Sequence, residues 1–379
     1  MASEGELFEI FSWLPAKSIF RFKSVSKACK EVMSDHYFAE TQFTKMQVKD
    51  ESGFIIQPSS CQRYRDKLEF HTLDSEDRSS GVPLASVGFL EELGRVLHSS
   101  NGLLLCRDVK TGGFFICNPA TQRWLPIDIR CDPGKDLRVV FECNQIQSDP
   151  HGYLLMVMEE TTEEDWSSDL HCKFFSLEEG PWVEREGKIQ VGKRTIDHES
   201  HVYQNGWIHF LTDCSSYFPR ANPYYWPYIV SYDIKNGTSS FMKLPKSERR
   251  GFDETGNKMG IFGWGRGESI CLVKLRRGVF SAWVLRDYNS SLWTRILKIR
   301  VRAMGMKEAK PIISGFTVFN GKSLLVATEE KVYLYDMVGD YRTRRAKEVC
   351  SHGCGDRVLL HSYSSTLRPC GYIEIPLSG

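Results

Sequence analysis

The sequence predicts two units: a small all-α N-terminal module of three short helices over residues 1–45, and a large all-β domain over residues 46–379. The β domain is expected to be a propeller of six blades, with seven as the alternative. Three observations predict this. Apolar residues recur at helical spacing only near the N-terminus. Beyond Phe54, short apolar or aromatic runs alternate with turn residues, the mark of a sandwich, barrel or propeller. Two separate strand markers then recur with one shared period, which favours the propeller.

The helices come first. Leu7, Ile10, Phe11 and Leu14 fall at i, i+3, i+4 and i+7, an amphipathic stripe. Ser3 and Glu6 fit a capping box at its start. Leu14-Pro15 then ends the helix, because proline lacks the N–H and its ring clashes with the preceding turn. A second helix is expected over Lys17–Phe22, and a third over Ser24–Met33 with Val25, Ala28, Cys29, Val32 and Met33 on one face. So short a module buries little surface by itself, yet it carries Phe8, Phe11, Trp13, Ile19, Phe20 and Phe22. It is either a cap packed on the main domain or a docking module whose surplus apolar face belongs to a partner.

The wording of this stretch resembles an F-box. Leu7-Phe8-Glu9-Ile10-Phe11 is followed by Leu14-Pro15-Ala16-Lys17-Ser18-Ile19-Phe20-Arg21-Phe22 and Val25-Ser26-Lys27. The family usually opens with a further Leu-Pro upstream, where this chain has Ala2-Ser3. Its bulky residue in the third helix is Cys29 here. Both departures would thin contact with a partner.

After a polar hand-over at Lys45–Asp50, the repeats begin. One unit is a glycine turn followed by an apolar strand: Gly102, Gly152, Gly206, Gly267 and Gly321, separated by 50, 54, 61 and 54 residues. The other is an aromatic strand, a polar turn and a further aromatic strand, as in Phe114–Trp124, Cys172–Trp182, Tyr228–Phe241, Trp283–Trp293 and, more weakly, Val332–Tyr341. Its turn residues Asn118, Ser176, Asp233, Asp287 and Asp336 are spaced 58, 57, 54 and 49. Such a period fits a blade of four short strands. A lone blade is apolar on both faces; stacking blades in a closed ring buries those faces and leaves only short edges. Leftover strands in Phe54–Phe70 and Val358–Ile375 are expected to combine into the closing blade. Between Leu97 and Val349 the wording resembles the F-box-associated domain of plant F-box proteins, as in ICNPATQRWLPI and YDIKNGTSSFMKLP.

Composition narrows the rest. The 379 residues are 41% hydrophobic and 26% charged, ordinary for a soluble globular chain. A net charge of +1 creates no bulk field for nucleic acid or acidic lipid. No apolar run is long enough to span a membrane. Glu4, Glu6 and Glu9 stand where a signal peptide would be basic then apolar. A cytoplasmic and/or nuclear protein with no nucleic-acid or membrane partner is therefore expected. The twelve cysteines, such as Cys106, Cys117 and Cys271, read as small core residues of a reducing compartment. Asn236-Gly237-Thr238 and Asn289-Ser290-Ser291 read as turns.

Motifs for chemistry are sparse. Cys350, His352 and Cys354, with His361 or Cys370, could surround a metal, but no second knuckle accompanies them and a plain loop is favoured. Asp197-His198-Glu199-Ser200-His201 reads as a solvated turn. Gly263-Trp264-Gly265-Arg266-Gly267 lacks the strand-to-helix setting of a phosphate cradle and reads as a blade turn. The pairs Arg249-Arg250 and Arg276-Arg277 and the run Arg342–Lys347 read as solvated faces. No catalytic residue, metal ligand or cofactor is expected. Residues 217–228 gather aromatics and prolines, so Tyr217, Phe218, Arg220, Tyr224, Tyr225 and Trp226 are candidates for binding a target protein, or else they pack over a blade edge. The acidic run Glu159–Asp169 reads as a solvated loop.

The resemblance implies a non-catalytic substrate receptor of an SCF-type (Skp–cullin–F-box) ubiquitin ligase. Leu14, Pro15, Ile19, Phe22, Val25, Ser26 and Lys27 would dock a Skp-type adaptor, and through it cullin and RING subunits, or else some of them, Phe22 especially, pack internally. The propeller would hold an unidentified target. The alternatives are a propeller scaffold without a ligase role and a metal-dependent propeller enzyme.

Overall fold

The computed structural model describes residues 4–46, 53–59, 68–72, 94–108, 111–127, 138–143, 152–158, 169–177, 182–192, 194–213, 219, 222, 225–245, 258–265, 267–339, 344–371 and 375–376. Four helices open the chain: α1 (Glu4–Phe11), α2 (Ala16–Lys23), α3 (Lys27–Ser34) and α4 (His36–Met46). Pro15 stands just before α2 at φ −64° and ψ 152°, an extended entry that its ring favours. Arg21 and Lys23 lie in the last turn of α2, where the unpaired carbonyls favour positive charge. Ser26 caps α3, its Oγ accepting from the Cys29 amide at 3.1 Å. Asp35 does the same for α4 by accepting from the Tyr37 amide at 2.7 Å.

The fourth helix corrects the expectation of three. Its buried stripe is Phe38, Gln42 and Phe43, and the polar Gln42 in the middle breaks the apolar period that would have revealed it. Ser3 of the expected capping box lies outside the described residues. Ile10 was expected on the inner stripe of α1 but faces outward, 58% exposed. The helical core holds Phe11, Ala16, Ile19, Met33 and Phe38, with Leu7, Phe8 and Leu14 packed against it. Phe8 meets Phe38 edge-on at 5.4 Å and stacks on Tyr37 at 5.6 Å. Two residues from the β domain, Ala120 and Leu367, complete this core.

The β domain is a six-bladed ring. The chain enters with β1 (Gly53–Pro58) and β2 (Glu69–Thr72). Blade 1 follows as β3 (Gly94–Ser100), β4 (Leu103–Asp108), β5 (Phe114–Asn118) and β6 (Arg123–Ile127). Blade 2 is β7 (Arg138–Cys143), β8 (Tyr153–Met158), β9 (Asp169–Leu177) and β10 (Trp182–Gln190). Blade 3 is β11 (Ile196–Gln204), β12 (Trp207–Thr212), β13 (Tyr228–Asp233) and β14 (Thr238–Lys243). Blade 4 is β15 (Lys258–Trp264), β16 (Ser269–Arg276), β17 (Val279–Asp287) and β18 (Leu292–Arg300). Blade 5 is β19 (Gly315–Phe319), β20 (Ser323–Ala327), β21 (Lys331–Asp336) and β22 (Lys347–Ser351). Then come β23 (Val358–Tyr363) and β24 (Ile375–Pro376). Each of blades 1 to 5 is an antiparallel meander.

Ring closure uses both ends of the chain, as expected. β23 forms the innermost strand of blade 6 and pairs with β1, from Gly53 opposite Tyr363 to Pro58 opposite Val358; β1 pairs in turn with β2. One detail differs: Ile375 does not join that blade. β24 adds a fifth strand to blade 1 by pairing with β6, so the C-terminus clasps the ring twice. The innermost strands touch in the cyclic order β3, β7, β11, β15, β19, β23 and back to β3. A separate apolar core fills each of the six joints, for instance Leu105, Ile116, Phe141 and Leu155 between blades 1 and 2. Because every blade face is shared with a neighbour, removing one blade would expose two of these cores.

Local turn chemistry explains the repeats. The glycine marker is the hairpin from first to second strand. Asn101-Gly102, Asn205-Gly206 and Asn320-Gly321 all have positive φ at both positions; the first two are two-residue turns whose twist matches the strands they join, and the third carries one more residue, Lys322. The second marker closes the hairpin from third to fourth strand. There Asp233 Oδ1 accepts from the amides of Lys235 and Asn236 at 2.9 and 3.1 Å, and Asp287 Oδ1 accepts from Asn289 at 3.1 Å.

Candidate functional site

Two surfaces stand out: the outer face of the helices and the axis of the ring. On the helices, Pro15 turns the chain so that α2 lies against α1 and α3. Ile10, Trp13, Phe20, Phe22, Val25 and Tyr37 are left exposed, Val25 by 69%. Six large apolar groups are thus open to solvent on one short module. Phe22 is anchored by its ring, 5.2 Å from that of Phe11. Lys45 braces the Trp13 edge: its Nζ lies 2.7 Å from Glu9 Oε1, 4.9 Å from the Trp13 ring, and donates to Ser12 Oγ at 2.8 Å. The Lys45 and Trp13 hydrogen bonds hold the Glu9 carboxyl below its usual range. Arg21, Lys27 and Lys30 are exposed and flank the apolar residues with positive charge.

The predicted adaptor-binding residues divide. Phe22, Val25, Ser26 and Lys27 are exposed, and Leu14 and Pro15 are half-buried. Lys27 lies 3.9 Å from Glu31, a solvated i,i+4 pair. Ile19 is the correction. It has no exposure, sits inside the helical core and touches no outer surface, so it holds the face rather than forming it. Of the predicted target-binding group, Tyr217, Phe218, Arg220 and Tyr224 lie outside the described residues. Tyr225 is buried with its ring edge-on to Trp226 at 4.9 Å, which makes it a support, not a contact. Trp226 is half-buried, and its carbonyl accepts from Arg194 Nη2 at 3.3 Å. The Arg194 guanidinium stacks 3.9 Å from the Tyr228 ring, a neighbouring feature that the sequence reading missed.

The axis holds a cavity of about 400 Å³ lined from all six innermost strands. Asp197 to His201, read from sequence as a solvated turn, lies here on β11, where a bulge between Asp197 and His201 turns the side chains inward. His201 Nε2 meets Glu142 Oε1 at 2.9 Å, and its ring lies 4.8 Å from that of His98. Glu142 Oε2 accepts from Ser100 at 2.9 Å. Lys258 Nζ donates to the carbonyls of Ile313 and Ser314 at 3.2 and 2.7 Å. These polar groups largely satisfy one another, which ties the inner strands together. Gln57 adds a link across the closing joint, exchanging hydrogen bonds with the backbone of Val96 at 2.6 and 3.3 Å.

This interior makes the ring sensitive to acid. Burial lowers His361 to about 4 and, elsewhere in the ring, His209 to about 4. Burial, then His201 and His361 nearby, hold His98 well below its usual range. Each of these three imidazoles refuses in the folded state a proton that the unfolded chain accepts. Their stabilisation is complete above the ordinary histidine value and is lost as pH falls toward 4. Asp197 works in the opposite direction: burial, then Glu199, raise it to about 6, so its term weakens folding as pH rises through 4 to 6. Three groups outweigh one. The urea midpoint is therefore expected to fall from pH 7 to pH 5, and His361→Gln to make that fall shallower. A midpoint that does not change with acid would contradict this.

The cysteine motif does not assemble a ligand set. His352 Nε2 faces the Thr328 carbonyl at 3.0 Å, and Nδ1 accepts from the Cys354 amide at 3.2 Å, so backbone groups engage both ring nitrogens. His361 lies in the axial cavity, and Cys370 donates to the Arg123 carbonyl elsewhere. Among the described residues, no group of three or more His, Cys, Asp or Glu is placed to hold a metal ion.

Comparison with known proteins locates the two units. Residues 67–369 match the family described as F-box associated beta propeller domain, and residues 6–41 match the F-box domain. The chain is similar to F-box protein At5g49610 of Arabidopsis thaliana, 23% identical and covering 96% of each chain. It is also similar to F-box protein At5g07610 of the same plant, 24% identical over 64% of this chain and 56% of that one. A crystal structure of a protein from Lactobacillus plantarum aligns with a TM-score of 0.43 at 11% identity, covering 82% of this chain and 99% of that one. The ring assignment rests on the strand ladders, not on that likeness.

Proposed function

The chain belongs to the plant-type F-box proteins that carry an F-box-associated β-propeller, and from that premise we propose that it is the substrate receptor of an SCF-type (Skp–cullin–F-box) ubiquitin ligase. An F-box binds a Skp-type adaptor in general. In this reading the adaptor brings the cullin and RING subunits, and the propeller holds a protein target beside them. The chain then contributes proximity: a transfer that would need a chance encounter becomes effectively intramolecular. The transfer chemistry belongs to its partners, in the cytoplasm and/or nucleus.

One observation carries the proposal. The helices pack on the ring through Ala120 and Leu367, yet Phe20, Phe22 and Val25 remain open, so the apolar surplus is not consumed internally. The test is titration calorimetry of the full chain with a purified plant Skp-type adaptor. Phe20→Ala combined with Val25→Ala is expected to weaken binding about 100-fold, since two central apolar contacts of an interface are worth about 3 kcal/mol. The melting curve should not move. No binding by the unaltered chain, or equal binding by the double variant, would refute the reading.

A further inference from the structure

Residues 364–371 run from the closing strand β23 toward β24 and form a strap between the ring and the helices. Thr366, Arg368 and Cys370 have no solvent exposure. Blade 1 grips the strap from below. Asn118 Nδ2 donates to the carbonyls of Thr366 and Arg368 at 3.0 and 2.7 Å, and Thr366 Oγ1 donates to the Asn101 carbonyl at 3.0 Å. Helix α4 grips it from above. The Leu367 amide donates to Gln42 Oε1 at 2.9 Å, while Gln42 Nε2 donates to the Leu14 carbonyl at 3.0 Å. The Leu367 side chain enters the helical core. Arg368 reaches between the two units: its Nη2 donates to the Gly152 carbonyl of blade 2 at 2.7 Å, and its guanidinium lies 5.0 Å from the Phe43 ring of α4.

We propose that α4 is a latch on the ring: it pins the strap that carries the closing strand, so that helical packing and ring closure form one cooperative unit, with Gln42 and Asn118 as the positioning residues on either side. A consequence is that the turn at Leu14 keeps a fixed seating on the strap through the carboxamide of Gln42. The F-box and the propeller are then one folding unit, although they match two separate families.

The test needs no adaptor, so its failure would leave the ligase reading standing. Hydrogen exchange is followed on the full chain. Gln42→Ala is expected to speed exchange of the β23 and β1 amides about tenfold or more, with β16 and β17 unchanged. Asn118→Asp keeps the oxygen that accepts from the Ala120 amide but removes both amide donations to the strap, and is expected to speed exchange in α4. Faster exchange confined to α4 in the first variant, or unchanged α4 in the second, would overturn the latch. Should neither variant fold, cleavage of the otherwise native chain at a protease site introduced within residues 47–52 decides. The helical piece is expected to stay with the ring through gel filtration, and its separation would overturn the proposal.

Discussion

Gly321→Ala is expected to destabilise the protein by about 3 kcal/mol or more, the combined scale of a left-handed backbone forced on a side chain and of an overpacked contact. Gly321 sits at φ 57°, and an added Cβ would overlap the backbone carbonyl of Gly265 in blade 4. Nothing flexible is there to give way: the Gly265 amide donates to the Gly321 carbonyl at 2.9 Å, so the two turns are already fastened. Gly206 is the control. It occupies the same place in blade 3 at φ 82°, with open space around its Cβ position. Gly206→Ala should therefore cost only the backbone term, about 1 kcal/mol. Urea denaturation of both variants gives the comparison. Equal losses would mean that the contact between the turns of blades 4 and 5 contributes nothing.

Ile19→Ala is the second. The side chain is fully buried in the helical core, and truncating a buried isoleucine costs about 2–5 kcal/mol. So small a module holds little in reserve. Hydrogen exchange should show α1 to α4 opening while β16 and β17 keep their protection. Val25→Ala, on the exposed face of the same module, should change stability by no more than about 0.5 kcal/mol. The pair separates a residue that holds the face from one that presents it. If Ile19→Ala left the helices intact, the core assignment would fail.

These two cases also show what could be read from the chain. The blade period was legible because second strands such as β8 and β16 are covered on both faces and so read as unbroken apolar runs. The innermost strand of blade 3 was not legible. β11, with the wording IDHESHVYQ, faces a polar axis on one side, and its charges look like a loop until the ring is built. The helical motif marked Leu14 to Lys27, but motif position does not separate the enclosed Ile19 from the exposed Val25; that requires the packing. α4 was hidden by Gln42, a polar residue in a buried stripe whose partners lie 28 and 325 residues away. The Arg368 seat between Phe43 and Gly152 left no periodic trace, since it joins three distant segments.

The pairing of β1 with β23 sets a schedule for biosynthesis. A ribosome delivers Gly53 long before Tyr363, its partner across the ladder. At about 5–20 residues per second the wait is roughly 15–60 s. Throughout it the apolar strand Phe54-Ile55-Ile56 has no inner neighbour, an open edge of the kind that recruits other chains. A stop codon before Val358 would therefore forfeit the whole circle rather than its last segment.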